Sequence, residues 1–273
     1  MAEQPQTAKP RRSDLLARIL YALPAIAIAI FLIVQGGAIF ALGLLVLAVV
    51  CLHELYSMFE RFRPYAIAGF IAVALLLVAA EFGANYEVLA VAAAAVPLIF
   101  LVSLVSPSRQ HPSIATAITL LGVVWIGLAL AHAVLLRDLP HGGGIIVDVL
   151  VGTFLGDTGA YLGGRLFGRR KLAPSISPNK TVEGLIIGMV CAVGATWFAG
   201  LYQDWLPGTD ALLLGLGIAV AAPLGDLFES LIKRDAGVKD SGRMFGPHGG
   251  ALDRLDAVLF TAIAGYYIWN ALL

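Results

Sequence analysis

Along the chain, apolar positions gather into runs of about twenty residues separated by short polar breaks, each long enough to cross a hydrocarbon layer of about 30 Å as a helix. Such runs are predicted at roughly 16–34, 38–58, 65–83, 87–105, 114–136, 145–168, 181–201, 210–232 and 251–272. The pattern describes an all-α integral membrane protein, a polytopic helical bundle with about nine transmembrane helices. Residues 1–15 form a polar segment ahead of it, and the run that follows lacks a convincing A-x-A cleavage site, so it is read as a retained first helix.

Composition agrees: 59% of the residues are hydrophobic, 13% are charged and the mean hydropathy is +0.88, far outside the soluble range. Net charge is zero, but its distribution adds an orientation. With the runs laid out alternately, Arg137 stands opposite every other Lys and Arg of the 18 in the chain. The positive-inside rule then puts the N-terminus in the cytoplasm and the C-terminus across the membrane. Cys51 and Cys191 lie inside the runs without ligand spacing and are read as small packing residues.

The two halves differ. Residues 16–136 are rich in Ala, Leu, Ile and Val, with "CLHELYSMFERFRP" as their polar exception, and read as a scaffold of hydrophobic helices. From 145 to 273, glycine and ionisable residues enter the runs, and charge inside a membrane segment is expensive enough to point to function. This second half is the expected catalytic region. Its first cluster, "VGTFLGDTGAYLGGRLFGRRKLAPSISPNKTVEG", places Gly152, Gly156, Ala160, Gly164 and Gly168 every four residues, a small-residue stripe suited to close helix packing, either internal or in a homodimer. Asp157, Tyr161, Arg165 and Arg169 keep the same spacing on the next row. Ser177-Pro178 reads as an N-cap and first helical residue beside Lys180, a place suited to a phosphate. Arg169, Arg170 and Lys171 serve either topology or attraction to anionic membrane lipids.

In "PLGDLFESLIKRDAGVKDSG", Asp226, Ser230 and Lys233 share a helix face at i, i+4 and i+7. In "GGALDRLDAVLF", Asp253 and Asp256 share one at i, i+3, and the short connection makes the last two helices antiparallel neighbours. Asp226, Asp253 and Asp256 are therefore expected to converge. Clustered carboxylates near hydrocarbon need compensating charge. A divalent cation supplies it, and hard oxygen donors with room for phosphates suit Mg2+. A salt-bridge network through Lys233 and Arg254 is the structural alternative. Lys239, Arg243 and His248 in the Gly-rich connection favour a polyanionic, metal-bound ligand such as a nucleoside triphosphate.

"SLIKRDAGVKDSGRMFGPHGGALDRLD", Ser230 to Asp256, resembles the signature of the phosphatidate cytidylyltransferases, with S-x-x-K-R, K-D, H-G-G and D-R-x-D in that order and spacing. "GDTGAYLGGRLFG" and "SPNKTVEG" resemble further stretches of that family, so the likeness covers about residues 150–260. Gly246-Pro247 stands where Pro-Gly is expected, and Asn179 where Lys is common.

The resemblance implies transfer of a cytidylyl group from CTP to phosphatidate, giving CDP-diacylglycerol and pyrophosphate, in phospholipid biosynthesis at the cytoplasmic face of a bacterial inner membrane. It implies magnesium held by Asp226, Asp253 and Asp256, directly or through water, and leaves a second, monovalent ion open. Ser230, Lys233 and Arg234 would support the phosphates or the metal shell. Lys180, Lys239, Arg243, His248 and Asp157 would serve substrate. No nucleic-acid partner is expected. An ion-coupled transporter would need paired broken helices in two repeated halves, and no internal repeat is visible; a lipid-binding structural protein is the remaining alternative. The D-G-x-x-A-R run of the CDP-alcohol phosphotransferases is absent.

Overall fold

The computed structural model describes residues 12–106, 111–242 and 249–273, with side chains from Leu23 onward. The helices are α1 Arg12–Gln35, α2 Gly37–Met58, α3 Ala66–Phe82, α4 Asn85–Val105, α5 Pro112–Gly122, α6 Leu128–Asp138, α7 Gly142–Phe167, α8 Val182–Gly200, α9 Gly208–Ala236 and α10 Leu252–Leu272. A π turn at Val123–Gly127 joins α5 and α6 into one span, so each predicted run falls on one helical rod. Seven spans among the described residues are long and apolar enough to cross a membrane, while α3 and the apolar part of α1, Leu23–Gln35, are shorter. Leu52, Leu76, Ile126, Ile145, Ile218 and Leu259 are fully buried and mark where α2, α3, the π turn, α7, α9 and α10 meet.

Arg137, the basic residue that stands apart in sequence, caps α1. Its guanidinium donates to the carbonyl of Ile33 at 2.7 Å and to that of Val34 at 3.4 Å, satisfying end groups that the helix leaves open. Gly36, at φ 63°, makes the turn into α2, and a side chain there would run into that guanidinium.

The small-residue stripe has an internal partner. α7 and α8 run antiparallel with backbones in contact: a methyl on Gly188 would lie 2.8 Å from the carbonyl oxygen of Gly156, and one on Gly184 would lie 2.7 Å from that of Ala160. Gly159 packs against Cys191, and Gly152 against Thr196. Where lipid offers no hydrophobic drive between helices, such close approach is what holds a pair together.

One expectation fails between these helices. Ser177 does not cap a helix; Ser177–Thr181 forms strand β2, antiparallel to β1 at Lys171–Ala173. Pro178 has no N–H to pair, which a two-stranded ribbon with open edges tolerates. The cap is Thr181, whose hydroxyl accepts the N–H of Gly184 at 3.1 Å. Glu183, in the first turn of α8, accepts the backbone N–H of Arg169 at 2.9 Å and of Arg170 at 3.1 Å. The ribbon is thereby tied to the start of α8, and the helix start considered for a phosphate is filled by the chain's own groups.

Candidate functional site

α9 and α10 touch backbone to backbone at Gly225. A side chain there would strike the carbonyl oxygen of Asp256 and come within 3.1 Å of the Ala257 Cα, so only glycine permits the approach. Pro223, half a turn earlier, has no N–H to offer, which leaves the Ala219 carbonyl without its helical donor. Asp226 follows on α9 beside Asp256 on α10, each within electrostatic reach of the other and of Asp157 on α7. Asp226 is ion-paired with Lys180, which the ribbon carries in from β2. The Ser230 hydroxyl points at Asp226 over a long 3.5 Å, and Asp256 accepts the N–H of Ala257 at 2.8 Å.

One turn further along α9, Lys233 donates to Glu229 at 2.6 Å and to Asp253 at 2.7 Å. This trio is largely enclosed, with side-chain exposures of 12%, 1% and 10%. The other oxygen of Asp253 accepts the N–H of Gly250 at 2.7 Å, the N–H of Ser241 at 2.9 Å and the Ser241 hydroxyl at 3.0 Å. The salt-bridge alternative is thus realised in part, through Lys233, and Lys180, which it did not include, adds a further ion pair.

Asp226 and Asp256 lie within electrostatic reach of each other. Asp253 lies on the same face of the α9–α10 pair, but its oxygens are taken by Lys233, Gly250 and Ser241. Among the described residues, no three His, Cys, Asp or Glu side chains stand together as a ready-made metal cage. Magnesium takes one or two carboxylates and completes its shell with water and substrate phosphates. Asp226 and Asp256 are hard oxygen donors of that kind.

The remaining expected residues are spread around this centre. Arg234 donates to the carbonyl of Ile176 in the ribbon turn and to that of Val238, both at 3.2 Å, and so ties the ribbon to the end of α9. Lys239 is exposed just past that end. Asp157, Tyr161 and Arg165 line an exposed face of α7, and Asn179 is exposed on β2. Arg243, His248 and the Gly246-Pro247 departure lie outside the described residues.

Two carboxylates escaped the sequence reading. Glu229 carries a signal, since it precedes Lys233 by four residues on a helix face. Glu54 lies in the half read as scaffold, yet it is buried against the connection before α10, accepting the N–H groups of Ala251 at 3.0 Å and Leu252 at 2.9 Å and the Ser241 hydroxyl at 3.1 Å. Only its place in the polar stretch "CLHELYSMFERFRP" marked it.

Comparison with known proteins accords with these features. The sequence model of the cytidylyltransferase family matches residues 16–272. The phosphatidate cytidylyltransferase of Staphylococcus haemolyticus is 33% identical over 254 residues, covering 89% of this chain and 94% of that protein. That of Mycobacterium tuberculosis is 33% identical over 167 residues, covering 61% and 50%. An uncharacterized Escherichia coli protein, YnbB, is 42% identical over 151 residues, covering 54% and 51%. With nearly its whole length matched, this chain belongs to the cytidylyltransferase family.

Proposed function

We propose that this enzyme transfers the cytidylyl group of CTP to phosphatidate, releasing pyrophosphate and forming CDP-diacylglycerol. The observation that carries the reading is the meeting of Asp226 and Asp256 at Gly225, flanked by the ammonium groups of Lys180 and Lys233, in a chain matched to this family along its length. A phosphate oxygen of phosphatidate bonds to the α-phosphorus of CTP as the bond from that phosphorus to the bridging β-phosphate oxygen breaks. The nucleophile is already an anion at neutral pH, so no side chain is needed as a strong general base.

In this reading Asp226 and Asp256 supply oxygens to a magnesium ion, and Asp253, whose oxygens are already engaged, acts through water. When bound, the ion offsets charge on the phosphoryl oxygens. Lys180 can turn from Asp226 to a phosphate, and Ser230 and Lys233 hold the neighbouring acids in place. Arg234 fixes the ribbon that carries Lys180, while Lys239, Arg243 and His248 serve the triphosphate or the lipid headgroup. The side rich in Lys and Arg is taken as cytoplasmic, where soluble CTP and a membrane lipid both reach the site.

The test is pyrophosphate release by the purified, detergent-solubilised protein given CTP, phosphatidate and magnesium. Turnover that needs all three, fails with ATP and is lost in Asp226→Asn is the expected result. A folded protein that releases no pyrophosphate refutes the reading.

A further inference from the structure

Glu54 is 6% exposed, and its hydrogen-bond partners are neutral: the N–H groups of Ala251 and Leu252 and the hydroxyl of Ser241. A carboxylate at the end of an apolar helix is a costly way to fill space, and two backbone N–H donors with a shared hydroxyl are what make it tolerable. Those donors come from both ends of the connection between α9 and α10. Ser241 lies near its beginning, and Leu252 opens α10. Gly242 and Gly250 also press on Glu54, and a methyl on Gly242 would sit 2.5 Å from its Oε1.

Asp253 grips the same two ends from the other side, through the N–H groups of Ser241 and Gly250. The Ser241 hydroxyl stands between the two carboxylates, 3.1 Å from Glu54 and 3.0 Å from Asp253, with one proton to give. A continuous chain of contacts therefore runs from Glu54 through Ser241 to Asp253, then to Lys233 and Glu229.

Building on the cytidylyltransferase reading, we propose that Glu54 is a positioning residue for the transfer. Through Ser241 and the first turn of α10 it fixes the orientation of Asp253 and the depth of Asp256, without touching substrate itself. The first half of the chain thereby takes part in the chemistry of the second.

Glu54→Gln keeps the size but sets an amide N–H against a backbone N–H, and Ser241→Ala removes the bridge alone. In the CTP assay each variant should lower kcat about tenfold or more while KM for CTP stays within about twofold, because the lost interaction acts on the transfer and not on nucleotide binding. The double variant should fall little below either single one, since both break one chain of contacts. Hydrogen exchange across Gly250–Asp253 should quicken about tenfold in Glu54→Gln. Wild-type kcat in both variants, multiplying losses in the double, or unchanged exchange each overturns the proposal. If Glu54→Gln does not fold, Ser241→Ala decides by its kcat and KM. If the wild-type protein itself turns over no CTP, the transfer reading falls, and with it this role, whereas the exchange result still reports whether Glu54 anchors the connection.

Discussion

Lys233 holds two enclosed carboxylates at once, and removing it tests whether that arrangement is understood. Lys233→Met keeps the length and loses the charge. Asp253 keeps the two backbone N–H donors of Ser241 and Gly250, but Glu229 loses the donor at 2.6 Å, and its other oxygen is already without a hydrogen-bond partner. Leaving one member of a buried pair alone costs about 3–5 kcal/mol, which for a chain of this size lowers Tm by about 6–20 °C. The damage falls on Glu229, so Glu229→Gln in the same chain should recover most of that loss by replacing the unpaired acid with a neutral amide. Activity should not return, because Asp253 has lost its cation. The assay is thermal unfolding in detergent beside pyrophosphate release, on the wild type, both single variants and the double. A Lys233→Met variant as stable as wild type, or a double variant no more stable than Lys233→Met, would refute the reasoning.

Other contacts make equally definite demands. Gly225→Ala should cost about 1–3 kcal/mol and at least about tenfold in turnover, seen in melting and in the CTP assay, because the added methyl strikes the carbonyl of Asp256. Gly188→Ala should destabilise the α7–α8 pair, whereas Gly194→Ala, where a methyl meets nothing within 4 Å, should be neutral or stabilising by up to about 1 kcal/mol in the same melting experiment. Chelation should abolish turnover and added magnesium restore it; magnesium alone should raise Tm less than magnesium with CTP, since the described side chains form no complete cage.

The spans were legible because each is an apolar run of membrane length, and this survives the π turn, which leaves Pro112–Asp138 one rod. Asp226, Lys233, Asp253 and Asp256 were legible because charge in such runs is rare. The ribbon was not. Ser177-Pro178 matches a helix-cap pattern locally, and what overrides it is Thr181 capping α8 while Glu183 holds the Arg169 and Arg170 amides. The stripe on α7 was visible, but its partner was not, because Gly184 and Gly188 gain meaning only once α8 is known to turn back along α7. Glu54 was the hardest to see, since nothing within its own helix marks it apart from an ordinary polar helix end.

The hydrogen bonds of Glu54 to Ala251 and Leu252 span 197 and 198 residues of sequence. At a synthesis rate of about 5–20 residues per second, α2 is made about 10–40 s before its partners exist. Through that interval the donors that satisfy Glu54 in the folded chain are missing, which favours keeping the Glu54 end of α2 hydrated. The contact cannot close until α10 has been made, and its long separation in sequence adds to the entropic cost of closing it. The last connection of the chain is therefore also what completes the surroundings of an acid made near its beginning.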